Sequence, residues 1–138
     1  MNASFNTLGT STYLNTGPFN PTGGQPRWKD WANYSAAQSV TINTTAPGWV
    51  YISAFGNLQD GNNLVDMEID LGISTSVVGP PDSGGTYWPR YNSNVLSAYS
   101  VSHFYHNTTS GTFTYYLLAA GSDATITPGS LVALFVPD

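Results

Sequence analysis

Short segments rich in β-branched and aromatic residues, separated by turn signals, fill the chain from Ser39 onward. Turns are indicated at residues 46–48, 60–63, 107–111 and 128–129, where Gly, Pro, Asn and Asp concentrate. A spacing of about 8–12 residues between such signals is typical of β-sandwiches and barrels. A jelly roll fits best, because it places about eight strands in two sheets. The sequence therefore predicts an all-β jelly-roll β-sandwich, with no helix and no internal repeat.

The strand segments can be placed approximately from their composition. Strands are predicted over residues 40–43, 49–58, 64–73, 95–106, 112–120, 123–127 and 130–136, and a long loop over residues 74–94. The first 37 residues contain many Gly and Pro residues and no sustained period, which predicts an irregular arm. A chain of 138 residues fits one domain. The predicted organisation is an N-terminal arm over residues 1–37 and a jelly-roll domain over residues 38–138.

Charged residues are scarce in this chain. They make up 8% of it, against about 25% in an average soluble protein. A polar but nearly uncharged surface suits extended contacts between subunits, because few charges must be desolvated on docking. A secreted or surface-exposed β-protein is the alternative interpretation. With Arg27, Lys29 and Arg90 as the only fixed cations and a net charge of −5, we expect binding neither to nucleic acid nor to anionic membranes.

Two features that the sequence lacks bear on the cellular compartment in which the protein is made. There is no cysteine, so disulfides and thiolate metal sites are not expected. Residues 1–10 have neither the basic nor the apolar region of a signal peptide, and no run is long enough for a transmembrane helix. The chain is therefore expected to begin at Met1 and to be made in a cytoplasm.

Three segments carry a resemblance to a known family. They are residues 45–58 (TAPGWVYISAFGNL), residues 112–126, which end in an Ala-Ala-Gly-Ser-Asp turn, and residues 129–137 (GSLVALFVP). In the same order, they resemble an aromatic strand, a Gly-Asp hairpin and the closing strand of TNF/C1q-like jelly-roll domains. The resemblance covers about residues 38–138. It implies a homotrimer whose subunits meet through aromatic strand faces, as in capsid decoration (cement) proteins and fibre heads of bacterial viruses.

Two aromatic rows are candidates for such interfaces. The strand over residues 49–58 is apolar on both faces, whereas a strand with one face in water should alternate apolar and polar residues. One of its faces carries Trp49, Tyr51 and Phe55. A second row holds Tyr99, Val101, His103 and Tyr105, with Tyr116 and Leu118 as its continuation on a neighbouring strand. Each row is expected either to meet another subunit or to be covered by the arm.

Aromatic and cationic residues also cluster at two places outside the strands. The arm carries Arg27, Trp28, Trp31 and Tyr34, and the long loop carries Tyr87, Trp88, Arg90 and Tyr91. Aromatic rings stack on sugars and Arg adds paired donors, so the loop is a candidate glycan or partner site. We favour the alternative, in which the large side chains anchor irregular segments onto the domain or onto a neighbouring subunit.

The remaining ionisable residues give no catalytic or metal-binding pattern. Asp66, Glu68 and Asp70 alternate along one strand about 7 Å apart, too far for one metal ion without ligands from other strands. We expect a solvated charged face, although this spacing does not exclude a glycosidase. His103 and His106 should point to opposite faces and make a poor chelating pair. With no nucleophile or phosphate-binding motif, neither an enzyme nor a cofactor is expected.

Together these features predict a virion structural protein. The expected function is a decoration or cement protein that trimerises, stabilises a phage shell and is assembled in the host cytoplasm. Its expected partners are its own copies, then a major capsid protein, then a glycan. The alternative is a carbohydrate-binding fibre head or lectin-like adhesin, on a virion or at a cell surface or secreted. A polysaccharide-cleaving enzyme is a third hypothesis.

Overall fold

The computed structural model describes residues 7–8, 10–13, 34–60, 69–77, 80–87, 97–121 and 124–138. Within these ranges the chain is all β, as predicted, and forms nine strands. They are β1 (Thr7–Leu8), β2 (Thr10–Tyr13), β3 (Ser35–Thr44), β4 (Gly48–Asp60), β5 (Ile69–Ser74), β6 (Ser83–Tyr87), β7 (Ser97–Asn107), β8 (Gly111–Gly121) and β9 (Ala124–Pro137).

The strands form two antiparallel sheets that pack together. The four-stranded sheet has the order β1-β9-β4-β7, and the five-stranded sheet has the order β2-β3-β8-β5-β6. When the short β2 is set aside, four strands remain in each sheet, with the interleaved order of a jelly roll. The predicted jelly-roll β-sandwich is confirmed.

The core lies between the sheets and follows from the period of two along each strand. Val50, Ile52 and Ala54 of β4 are fully buried and belong to the same core cluster as Val40 and Ile42 of β3. Alternate residues of a strand point to opposite faces, so these β-branched and small side chains enter the core together. Fully burying one such aliphatic side chain contributes about 1.5–3 kcal/mol.

A β-bulge in β9 shapes one part of this core. Phe55 pairs with Ser130 and Gly56 with Pro128, so Gly129 is an extra residue on β9. The side-chain nitrogen Nε2 of Gln38 donates a hydrogen bond to the Gly129 carbonyl at 3.2 Å. The predicted strands over residues 123–127 and 130–136 are therefore one strand, and Pro128-Gly129 is a bulge where a turn was predicted.

One side of the sandwich is closed where β7 approaches the β5–β6 hairpin. Within the described sheet β7 is an edge strand, long and without charge or proline, the kind of edge that invites unwanted pairing. Ser83 Oγ donates a hydrogen bond to the Ser102 carbonyl at 3.3 Å, and the Tyr105 hydroxyl donates one to Asp82 Oδ2 at 2.8 Å. These two contacts join the two sheets at the β7 side of the sandwich.

Two predicted irregular regions contain strands. The predicted arm includes β1 and β2, which pair with β9 and β3, and β3 itself begins at Ser35. The predicted loop over residues 74–94 contains β6, which pairs with β5. The two glycines of β6 hide the alternating pattern by which a strand is predicted. A Cβ atom at Gly84 would lie 2.2 Å from the Leu71 carbonyl oxygen. Glycine in β6 thus permits a close approach of two backbones.

Candidate interaction surface

The outer face of the four-stranded sheet carries a row of exposed aromatic residues. Trp49, Tyr51 and Phe55 of β4 point away from the core, because they alternate along the strand with the buried residues Val50, Ile52 and Ala54. Trp49 is 47% exposed and Phe55 is 53% exposed. We call this surface the aromatic face; its members are Trp49, Tyr51, Ser53 and Phe55 of β4, Ser100, Ser102, Phe104 and His106 of β7, and Ser130, Val132, Leu134 and Val136 of β9.

Rings on neighbouring strands pair across the aromatic face. The Tyr51 and Phe104 ring centroids are 4.7 Å apart, and those of Trp49 and His106 are also 4.7 Å apart. Both pairs are opposite one another in the β4–β7 register, and such cross-strand pairs contribute about 0.2–1 kcal/mol each. Phe104 is nevertheless 58% exposed. The ring pairs therefore pack against each other at one end of the face, while Trp49 and Phe104 remain largely accessible to solvent.

Exposed apolar area is concentrated on this face. Val132 of β9 is 40% exposed and lies opposite Ser53. Among the described residues, five large apolar side chains are exposed, and four of them are Trp49, Phe55, Phe104 and Val132. The fifth, Val77, lies in the turn after β5. A concentration of this kind marks an interaction site more often than scattered exposed residues do.

The aromatic face is almost free of charge. None of its members is Lys, Arg, Asp or Glu. At its end, His106 Nε2 lies 3.1 Å from both carboxylate oxygens of Asp138, whose backbone N–H donates a hydrogen bond to the Pro47 carbonyl. Apart from this pair, the face offers rings, aliphatic groups and serine hydroxyls. A partner can dock on it without desolvating fixed charges.

The second predicted row does not form an exposed surface. Tyr99 is 2% exposed and Val101 is also buried, because the odd-numbered residues of β7 point into the sandwich. The prediction that Tyr99 lies at an interface is therefore wrong. Its hydroxyl packs close to Gly56: a Cβ atom added at that glycine would lie only 2.6 Å from the Tyr99 hydroxyl oxygen. His103 and Tyr105 are half-buried at the side of the sandwich.

Phenol groups at this side of the sandwich are held protonated. The Tyr105 ring packs against His103, with centroids 4.6 Å apart, and stacks on Tyr115 at 4.7 Å. Burial raises the pKa of Tyr105 well above its ordinary value, and the hydrogen bond to Asp82 and its charge act in the same direction. Burial also raises the pKa of Tyr115, against a smaller opposing effect of the hydrogen bond from Asn107. Neither phenol is prepared to act as a base or nucleophile.

Tyr116 is not a continuation of the β7 row. It belongs to β8, which pairs with β3 and β5 in the other sheet, so that prediction is wrong. Tyr116 is half-buried on the outer face of the five-stranded sheet, opposite Ser39 and Ser74. Sequence spacing shows which residues share a face of one strand, but it does not show which strands are neighbours.

Of the predicted arm anchors, Tyr34 lies within the described residues. It precedes β3, and its hydroxyl donates a hydrogen bond to Asp70 Oδ2 on β5 at 3.3 Å. Because β8 lies between β3 and β5, the Tyr34 side chain spans β8. The other predicted anchors Arg27, Trp28 and Trp31 lie outside the described residues, as do Asp66, Glu68, Trp88, Arg90 and Tyr91. Tyr87 ends β6, where it pairs with Ile69.

Sequence reasoning missed Phe104 and Val132, two of the five exposed large apolar residues in the described ranges. A signal was present for Phe104, since Ser100, Ser102, Phe104 and His106 alternate with the buried residues of β7. In the described ranges, no group of three or more His, Asp or Glu side chains could hold a metal ion. The same ranges include no helix long and apolar enough to cross a membrane.

Comparisons with known proteins do not identify a family. No family model and no curated protein matches the chain. Among solved structures, one similar chain is a crystal structure of an exo-β-1,3-galactanase from Phanerochaete chrysosporium, with 13% sequence identity and a TM-score of 0.27. The match covers 94% of this chain and 26% of the galactanase, so the chain spans about a quarter of that protein's length. A likeness of this size carries no argument about function.

Proposed function

We propose that this protein is a virion structural protein, a capsid decoration or cement protein that works by binding and not by catalysis. In this proposal three copies associate through the aromatic face, and the trimer stabilises a phage shell. The observation that carries the proposal is the concentration of exposed apolar side chains on one face of the four-stranded sheet, namely Trp49, Phe55, Phe104 and Val132.

The size of the aromatic face suits the centre of a protein–protein contact. From Trp49 to Phe55 it extends about 20 Å along β4, and about 10 Å separate the axes of β7 and β9. Specific interfaces bury about 800 Å² on each partner, with aromatic residues enriched at the centre and charged residues depleted there. Trp and Tyr residues frequently supply most of the binding energy in such contacts.

A three-fold ring requires two different complementary surfaces on each copy. The aromatic face supplies one surface in the proposal, and the side of the sandwich at His103 and Tyr105 supplies the other. Both surfaces include residues of β7: its even-numbered residues lie on the face, and His103 and Tyr105 lie at the side. The half-buried His103–Tyr105 ring pair offers polar edges to a neighbouring subunit.

The molar mass in solution tests the role of the aromatic face. We expect light scattering to give a trimer for the full chain and a monomer for Trp49→Ser combined with Phe104→Ser. Val77→Ser is the matched control, because it removes an exposed apolar side chain elsewhere, and it should stay trimeric. Full-length chain that is monomeric over a wide concentration range, with and without shells, would contradict the proposed trimer.

Cosedimentation with capsid shells tests the decoration role separately. The full chain should pellet with shells at a fixed ratio and raise their resistance to heat. The face variant Trp49→Ser with Phe104→Ser should pellet less, because it loses the contribution of neighbouring copies. Full occupancy of shells by that variant would show that the face is not used in assembly.

A second candidate function is carbohydrate binding by a fibre head or lectin-like adhesin. The observation in its favour is that Ser53 and Ser102 lie between the rings of Tyr51 and Phe55, and that Ser100 lies opposite Phe55. Rings that stack on sugars and hydroxyls that bond to them make up many sugar sites. A glycan array separates the candidates: specific binding that is lost in Phe55→Ala favours the lectin, and a blank array favours assembly.

A further inference from the structure

We propose that Gln38 selects the register of β9 and thereby determines which side chains β9 contributes to the aromatic face. The consequence for association rests on the proposed function. Gln38 belongs to β3 of the five-stranded sheet and is fully buried. Its Nε2 donates a hydrogen bond to the carbonyl of Gly129, which is the extra residue of the β9 bulge. A buried side chain of one sheet thus binds the one irregular point of a strand in the other sheet.

The bulge reverses the direction in which the side chains of β9 point. Before it, Ile126 is buried opposite Leu58, so the even-numbered residues face the core. After it, the odd-numbered residues Leu131, Ala133 and Phe135 are buried. The even-numbered residues beyond the bulge lie on the aromatic face, and they are Ser130, Val132, Leu134 and Val136. The extra residue therefore determines which half of this segment faces outward.

The apolar pattern of β9 does not specify this register. The segment after Ser130 reads LVALFV and is apolar at odd and even positions alike. Without the bulge it would shift by one residue, and Val50 would pair with Leu134 where it now pairs with Phe135. Val132 would then enter the core, and Phe135 would join the aromatic face. Register is weakly specified in a strand that is apolar on both faces, because a slip exchanges one apolar set for another.

The Gln38 amide penalises that slip. In the shifted register Gly129 becomes an ordinary residue opposite Phe55, and the carbonyls of a regular ladder lie in the plane of the sheet. Nε2 would then lose the acceptor that it now meets at 3.2 Å in the core. Within the described part of the chain, Oε1 of the same amide has no hydrogen-bond donor. The shifted register therefore leaves the whole buried amide without partners, which strongly disfavours it.

A second bulge positions the amide for this role. On β3, Ala36 pairs with Leu118 and Gln38 pairs with Leu117, so Ala37 is an extra residue. Ala37 and Gln38 are both buried. An apolar side chain of similar length would fill this position without a buried Oε1 that lowers stability. Buried polar groups of this kind can fix a unique register at a cost in stability.

The substitution Gln38→Met tests the inference, because it keeps the length of the side chain and removes both polar atoms. We expect the NMR cross-strand contacts of Val50 to divide between Phe135 and Leu134, which report the native and the shifted register. The midpoint of urea unfolding should not fall, and the trimer fraction in light scattering should fall with the shifted fraction. Val40→Ala is the matched control: it truncates a buried residue of the same strand, and it should lower the midpoint but keep one register.

Deletion of Gly129 from the Gln38→Met chain should restore a single register. Pro128 and Ser130 then become neighbours in sequence, and they already pair with the neighbours Gly56 and Phe55. The native pairing therefore needs no bulge in this chain. A residue that served only to fill the core would not be compensated by a deletion in another strand.

Each outcome decides the inference. One native register in Gln38→Met overturns it and leaves the proposed trimer standing, because the packing of Phe135 beside Gly48 then suffices to hold β9. If Gln38→Met does not fold, recovery of the native contacts on deletion of Gly129 supports the inference, and failure to recover overturns it. If the parent chain is monomeric in all conditions, the proposed trimer is wrong, and divided contacts in Gln38→Met still support the role of Gln38.

Discussion

The Tyr105 hydroxyl donates a 2.8 Å hydrogen bond to the Asp82 carboxylate, and this contact joins the two sheets at the β7 side of the sandwich. The same carboxylate oxygen accepts the backbone N–H of Thr75 at 3.1 Å. Asp82 thus links the turn after β5 to β7, which belongs to the other sheet.

Loss of this hydrogen bond should lower the free energy of unfolding. For Tyr105→Phe we expect a decrease of about 1 kcal/mol, the usual net value of a hydrogen bond to a partly exposed group. Urea unfolding of the two proteins measures it. Ser83→Ala, which removes the longer bond to Ser102, is the comparison and should cost less. If Tyr105→Phe and the parent chain have equal free energies of unfolding, this hydrogen bond between the sheets does not contribute to stability.

Alkaline pH should destabilise the fold through the same residue. The pKa of Tyr105 in the folded state lies above the ordinary value of 10.0, because burial and Asp82 disfavour the phenolate. The unfolded chain therefore releases this proton at lower pH than the folded chain does, and stability present below about pH 10 is lost as the pH rises above it. The unfolding midpoint followed from about pH 8 to about pH 11 should fall. The fall should be shallower in Tyr105→Phe, and a parallel fall would assign the effect to other groups.

Gly56 should not tolerate a side chain. A Cβ atom there would lie 2.5 Å from the Thr127 carbonyl oxygen and 2.6 Å from the Tyr99 hydroxyl. We expect Gly56→Ala to lower the free energy of unfolding by about 1–3 kcal/mol, as overpacking of a core does. Ser53→Ala on the same strand is the control and should change stability little. Tyr99→Phe in the Gly56→Ala background should recover part of the loss, because it removes one of the clashing atoms, the Tyr99 hydroxyl oxygen.

Substitutions in the core should lower the free energy of unfolding much more than substitutions on the aromatic face. Ile52 is fully buried, so Ile52→Ala should lower the free energy of unfolding by about 2–5 kcal/mol. Phe104 is largely exposed, and at low protein concentration Phe104→Ala should cost only about 0.2–1 kcal/mol, the value of its contact with Tyr51. Chemical denaturation measures both. A large loss in Phe104→Ala would mean that the exposed rings serve the stability of the subunit.

The sequence allowed the faces of single strands to be predicted, because a period of two is a local property. The opposite orientations of Val50 and Trp49 followed directly from their positions on β4. The position of a strand in its sheet depends on distant partners, and no local pattern encodes it. For this reason the sequence pattern placed Tyr116 beside the wrong strand, and it did not show that the row containing Tyr99 faces the core.

Gly and Pro residues account for the remaining differences. Gly84 was interpreted as part of a loop and Gly129 as part of a turn, because both residues disfavour regular strands. In the fold, each permits two backbones to approach closely, which is a tertiary requirement. The exposure of Phe104 is hard to predict, because its even-numbered row on β7 is rich in serine, whereas the odd-numbered row is aromatic and apolar.

The position of β9 between β1 and β4 determines when the aromatic face can exist during synthesis. Val50 pairs with Phe135, 85 residues later in the numbering, so β4 waits for β9 to leave the ribosome before its pairing is complete. Contacts between such distant residues make folding slow. Until β9 is in place, the nascent chain has no complete aromatic face to offer a neighbour. In the proposed assembly, only a subunit that has closed its four-stranded sheet presents the complete face to other copies.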